Sequence, residues 1–255
     1  MALGIWMENT PEYVFTSFGA GLANAVLFAI NTGFRGETLA RVAERARITH
    51  LIVNPGTLEE VERTLPAIEG LERGDILVVG GDGSVEAKGF RSLEGALPRP
   101  DTLSGKIERQ PIDNTSPVLV IYTSGTTGIP KGVPCAHIKL WGAGVLVRKT
   151  CRLTGRDRGY ICNPLFHSNA WYCVLLSLMV ARGSFVLKRK FSASAFEPDM
   201  LDHGITYLNY VGQPLHYIIS ALEWKYGSGK AVEAALARHP RNRFRIAYGN
   251  GASAG

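Results

Sequence analysis

Short runs of apolar, often β-branched residues alternate along this chain with stretches in which apolar positions recur every three or four residues. The run at 3–7 reads as a strand, and Pro11 opens a helix over 11–24, because proline suits a first helical turn. AVLFAI (25–30) is a second strand. Over 35–48, Leu39, Val42, Ala43 and Ala46 fall at i, i+3, i+4 and i+7, one face of an amphipathic helix. The strands THLIVN (49–54) and DILVVG (75–80) bracket a helix over 57–65, which Pro66 terminates. Glycine, proline and charge then dominate 81–116, which reads as a connector.

The alternation resumes with strands at 118–122, 159–162, 185–187, 206–210 and 244–248. Helices are expected at 137–148, 169–181, 193–202, 214–224 and 230–239. Such a pattern predicts an α/β fold of mostly parallel sheets flanked by helices. The chain divides into a first βα part (1–80), the connector (81–116) and a second part (117–255). No internal repeat or low-complexity tract is present.

In such folds ligands sit beyond the carboxyl ends of the strands. The stretch VLVIYTSGTTGIPKGV (118–133) therefore stands out. A buried strand runs directly into Thr123, Ser124, Gly125, Thr126, Thr127 and Gly128, and Lys131 follows. Glycines let backbone N–H groups converge on an anion, hydroxyls add rotatable donors, and lysine adds a mobile positive charge. The loop suits phosphate oxygens. It is not the common P-loop, which needs Gly before the lysine and Ser or Thr after it; here Pro130 and Gly132 hold those places. GNGASA (249–254) satisfies the G-x-G-x-x-A dinucleotide pattern after a strand, but the acidic residue expected about 20 positions on would lie beyond the last residue.

The formal charge of +6 suits an anionic ligand, but it is too dispersed to argue for nucleic acid. Arg238, Arg241, Arg243 and Arg245 read as a solvated surface. Cys135, Cys151, Cys162 and Cys173 show no CxxC spacing and no partnered histidines, so neither a zinc site nor a disulfide framework is expected, and a reducing compartment is the default. The start, MALGIWMENTPEYV, lacks the parts of a signal peptide. The apolar stretches 20–30 and 171–181 are about half the length a membrane span needs. A cytoplasmic protein is expected; peripheral membrane contact would suit greasy substrates, but no basic amphipathic helix demands it.

YTSGTTGIPKGV resembles the phosphate-binding signature of the adenylate-forming superfamily, which includes acyl-CoA synthetases, luciferases and peptide-synthetase adenylation domains. Nine specified residues make a chance match on the order of 10⁻⁹ per chain. NPLFHSNAW (163–171) is similar to the family's P-L-[YF]-H-[ST] segment. VLKRKFSASAF (186–196), YVGQPLHYII (210–219), RFRIAYGNGAS (243–253) and INTGFRGETLARVAERAR resemble the fatty-acid transport protein branch of very-long-chain acyl-CoA synthetases. The resemblance implies carboxylate adenylation with ATP and Mg²⁺, then thioester formation with coenzyme A. It implies that Thr123–Gly128 cradle the β- and γ-phosphates, that Lys131 closes the cradle, and that Thr123 also approaches magnesium. It places His167 between adenylate and acid as a catalytic positioning group, Tyr210, Val211 and Gly212 along the acyl pocket, and Gly249, Asn250 and Gly251 at the adenine. Gln213 stands where transport-protein relatives carry an acidic residue.

The resemblance also implies a longer protein. Relatives continue into an aromatic–Gly–x–Thr–Glu motif and a small C-terminal domain with a catalytic lysine; neither is in this sequence. The expectation is a partial N-terminal domain with little complete turnover of its own. Three other readings stay open: a non-catalytic nucleotide- or acyl-binding chain, a ligase for carnitine-like or aryl acids, and a dinucleotide-dependent reductase.

Overall fold

Backbone donors and acceptors stripped of water need partners, so the apolar runs must pair edge to edge. The computed structural model describes residues 1–98, 111–123 and 129–250, with the side chain of residue 250 left out. The chain forms two units, Met1–Ile138 and Lys139–Gly255.

In the first unit, β1 (Ala2–Trp6) lies between β2 (Val26–Ala29) and β3 (His50–Val53). β4 (Ile76–Val78), β5 (Arg91–Ser92), β6 (Pro117–Thr123) and β7 (Lys131–Ala136) complete the sheet in the order β5-β4-β3-β1-β2-β6-β7. Neighbours run parallel except β6 and β7. β1 and β3 are buried at nearly every position. Because successive side chains point to opposite faces, both faces of the sheet centre are covered.

The helices are α1 (Pro11–Leu22), α2 (Gly36–Ala46), α3 (Pro55–Thr64) and the short α4 (Gly83–Ala87) and α5 (Leu93–Ala96). α1 starts as its sequence dictates: Thr10 accepts from the Tyr13 amide, and Pro11 follows the cap. α2 turns Leu39, Val42 and Ala43 inward, where they join Leu58 and Val61 of α3 and Leu51, Val53, Ile76 and Val78 of the sheet. α2 ends on Arg47 in the left-handed conformation (φ 49°).

The second unit contains all but the first two residues of α6 (His137–Thr150), then β8 (Arg158–Ile161), a π-wound turn (Ala170–Leu175) running into α7 (Leu176–Ala181), and β9 (Ser184–Leu187). It continues through α8 (Ala193–Asp202), β10 (Tyr207–Val211), α9 (Gly212–Tyr226), α10 (Gly229–Ala237) and β11 (Ile246–Asn250). Its sheet is parallel in the order β11-β10-β8-β9. One face packs Tyr160, Leu208, Phe196, Met200 and Ile218 together, with Phe196 edge-on to Tyr160 and Phe244. Among the described residues, no helix is long and apolar enough to cross a membrane.

Four features differ from the pattern-based expectation. Residues 131–136 form β7, although Gly132 and Pro134 argue against a strand; as an edge strand paired on one side only, β7 tolerates a proline without an N–H. β6 and β7 belong to the first unit, because apolar β6 pairs with β2. The stretch read as a connector opens with α4, β5 and α5. The helix expected over 169–181 begins as a π turn. The Cys173 carbonyl there accepts from both Tyr207 Oη (2.5 Å) and Ser177 Oγ (2.7 Å), two side-chain donors that support the wider winding.

Candidate functional site

Each unit carries one group of the residues singled out by sequence. In the first, β6 ends on Thr123 and β7 begins on Lys131, and the two face each other across the antiparallel register. Thr123 Oγ1 lies 3.5 Å from the Lys131 carbonyl, and both residues are exposed. The hairpin thus anchors both ends of the hydroxyl–glycine loop on adjacent strands. Ser124, Gly125, Thr126, Thr127 and Gly128 lie outside the described residues.

The hairpin itself is tightly packed. Tyr122 meets Phe34 edge-on at 6.3 Å, and burial pushes its hydroxyl pKa up to about 12. A Cβ on Gly132 would stand 2.8 Å from Val120 Cγ1 and 3.4 Å from Tyr122 Cε1. Valine is stiff at χ1 and cannot swing aside. Gly132→Ala should therefore destabilise the hairpin by about 1–3 kcal/mol, read as a lowered thermal midpoint. An unchanged midpoint would mean that β7 has room to shift.

Thr123 was also expected to approach magnesium. Among the described residues no three His, Cys, Asp or Glu side chains converge on a metal site, and Thr123 stands exposed at the end of β6.

The second unit presents the other group at the carboxyl ends of β8, β10 and β11. His167 follows β8 in a turn closed by its own amide on the Pro164 carbonyl (3.0 Å). Its ring leans on Phe166 with centroids 4.7 Å apart, and desolvation lowers its pKa below the ordinary histidine value. Beyond it, Trp171 Nε1 donates to the Leu165 carbonyl at 2.6 Å. Tyr210 and Val211 end β10, and Gly212 begins α9. Alternation splits the first two. Tyr210 packs against the α8–α9 core, whereas Val211 shares the opposite face with Tyr207 and Asn209.

Gly249 and Asn250 lie inside β11, which runs two residues further than the pattern indicated, and they pair with Tyr210 and Val211. They are strand residues here, where the strand was expected to end at 248. Gly251 lies outside the described residues. A Cβ on Gly249 would fall 2.2 Å from the Tyr210 carbonyl oxygen and 2.7 Å from its ring. That close approach gives Gly249 a structural duty independent of any ligand.

Sequence reasoning missed two asparagines. Asn163 Nδ2 donates to the Asn209 carbonyl (3.4 Å), and Asn209 Nδ2 donates to the Tyr248 carbonyl (2.8 Å). The available signal was a single asparagine within the apolar run TYLNYV.

A cleft of about 490 Å³ opens beside α8 and α9 and contains none of the predicted residues. Its charged groups are matched internally: Glu197 is held by Lys225 (2.7 Å) and by Tyr226, and Asp202 by Arg241 (2.5 Å). Nothing in that pairing calls for a ligand.

The family described as AMP-binding enzyme matches residues 2–253. A medium/long-chain-fatty-acid–CoA ligase of Mycobacterium tuberculosis is 32% identical over 254 residues, covering 97% of this chain and 43% of that protein. Long-chain fatty acid transport protein 2 of Rattus norvegicus is 29% identical over 237 residues, covering 92% of this chain and 37% of that protein. The chain thus spans less than half the length of these curated relatives. A crystal structure of a long-chain-fatty-acid-CoA ligase from Archaeoglobus fulgidus superposes with a TM-score of 0.79 at 22% identity, covering 96% of this chain and 51% of that one. The two share the same α/β architecture.

Proposed function

The chain belongs to the AMP-binding enzyme family, and we propose that it is the nucleotide- and acid-binding part of an ATP-dependent fatty acid–CoA ligase. What supports this reading is that Thr123 and Lys131, which bracket the hydroxyl–glycine sequence, stand opposite each other on adjacent strands, within a family match that runs over residues 2–253. The names of two relatives, a medium/long-chain-fatty-acid–CoA ligase and a long-chain fatty acid transport protein, favour a long acyl chain as the acid.

In this reading the fatty carboxylate attacks the α-phosphate of ATP, pyrophosphate leaves, and the thiol of coenzyme A later displaces AMP from the acyl-adenylate. Such transfers depend on positioning and charge stabilisation more than on covalent help from the protein. Ser124, Thr126 and Thr127 hydroxyls with the Gly125 and Gly128 amides would hold the β- and γ-phosphates. Lys131, exposed at the start of β7, would neutralise charge on the departing pyrophosphate. Magnesium would arrive with ATP, held by the nucleotide's own phosphates.

His167 keeps a lowered pKa, so at neutral pH its imidazole is uncharged and can donate one hydrogen bond to orient the carboxylate. Val211 and Gly212 would line the acyl side, with Tyr210 supporting them from the core face. Gly249, Asn250 and Gly251 would form one wall of the adenine site.

Calorimetric titration with ATP, AMP and NAD⁺ tests the reading. ATP should bind in preference to NAD⁺, and Lys131→Ala should weaken ATP about tenfold while changing AMP less than about threefold, because AMP lacks the phosphates that lysine faces. Preference for NAD⁺, or equal losses for ATP and AMP, would overturn it.

A further inference from the structure

Asn209 sits in mid-sheet, 1% exposed, yet it reaches both halves of the second unit's candidate site. Its Nδ2 holds the carbonyl of Tyr248, the residue before Gly249. The main-chain carbonyl of residue 209 accepts from the side chain of Asn163, which opens the turn that carries His167. On the same face of β10, the Tyr207 hydroxyl holds the Cys173 carbonyl in the π-wound turn that follows His167.

Asn209 Oδ1 is buried and has no hydrogen-bond partner among the described residues. The amide cannot simply be turned round, because Oδ1 would then face the Tyr248 carbonyl, acceptor against acceptor. A buried acceptor left unpaired costs stability, and leucine would fill nearly the same volume without that cost, giving up the bond to the Tyr248 carbonyl in exchange. The two effects oppose each other, so folding alone gives little reason for an asparagine here.

We propose that Asn209 is a positioning residue that sets the spacing between the His167 turn and the Gly249 strand end, and hence between the acid and adenine ends of a bound acyl-adenylate. The inference rests on the function proposed above. Spacing matters only to a ligand that spans both ends, so the effect should be selective: a ligand occupying one end alone should scarcely notice the change.

The test compares Asn209→Leu with the unaltered chain, using AMP, dodecanoate and dodecanoyl sulfamoyladenosine as calorimetric probes. Leu208→Ala, a core change on the opposite face of β10, serves as the control for general destabilisation. Asn209→Leu should keep its thermal midpoint within about 3 °C, lose roughly tenfold in affinity for the spanning analogue, and change less than about threefold towards AMP or dodecanoate. Leu208→Ala should lower the midpoint without altering the ratio of analogue to AMP affinity. Should Asn209→Leu fail to fold, Asn209→Ala removes the donor to Tyr248 without adding bulk or charge and is expected to show the same selective loss.

Equal losses for all three probes, no loss, or failure of both variants to fold would overturn the positioning role. If the unaltered chain binds neither AMP nor the analogue, the proposed function itself falls and takes this inference with it.

Discussion

Asp157→Ala is expected to destabilise the second unit by about 2 kcal/mol, the loss of a buried carboxylate that accepts several hydrogen bonds, tempered by the partly exposed Arg245 it pairs with. Asp157 is 4% exposed, just before β8. It accepts from the Thr154 amide (2.8 Å), from Thr206 Oγ1 (2.8 Å) and from Arg245, whose Nη2 lies 2.9 Å away. Thr206 immediately precedes β10 and Arg245 immediately precedes β11, so one carboxylate gathers the amino ends of three strands. Arg245 also donates to the Cys151 carbonyl, tying in the segment after α6.

Burial pushes the Asp157 carboxyl up, but the hydrogen bonds from Thr154, Thr206 and Arg245 outweigh it and hold the pKa below the usual aspartate value. The stability it contributes is therefore present above the unfolded value of about 4 and is lost as pH falls through the lower folded value. Guanidinium unfolding at neutral pH and near pH 3 checks both statements. The two proteins should differ strongly at neutral pH and less in acid. A neutral-pH difference below about 1 kcal/mol would show that the network does not hold the strand ends.

Gly249→Ala is the second large effect, expected to cost about 2–4 kcal/mol together with most of the AMP affinity. The added methyl would lie 2.2 Å from a backbone oxygen, which no rotamer change can move, so β11 must part from β10. Pairing the change with Tyr210→Ala separates ring from backbone. If the 2.7 Å ring contact were the obstacle, the double variant would regain stability; if the carbonyl is, it will not. The second outcome is expected, measured by thermal unfolding alongside AMP titration. A stable Gly249→Ala protein with weakened AMP binding would instead make this glycine a ligand residue alone.

Much of the fold was legible because its signals are local. The i, i+3, i+4, i+7 spacing of Leu39, Val42, Ala43 and Ala46 marks α2 with no knowledge of what covers it, and Pro11 after Thr10 marks the start of α1. β7 was not legible, since Gly132 and Pro134 are poor strand residues in isolation. Among the described residues β7 is paired on one side only, which makes the proline harmless, and the side chains of Val120 and Tyr122 make the glycine necessary.

By itself the sequence determined the α/β class and the order of most strands and helices, because periodicity and short-range spacing need no partner. The tertiary structure alone decided which face of β10 Tyr210 takes, why residue 249 must be glycine, and how Asn209 joins Tyr248 to the turn after β8. Those depend on the register of strands far apart in sequence: Asn209 and Tyr248 are separated by 39 positions, and Asn163 and Asn209 by 46. A one-residue slip in that register would send the same side chains to the other face, and nothing in the linear order specifies it.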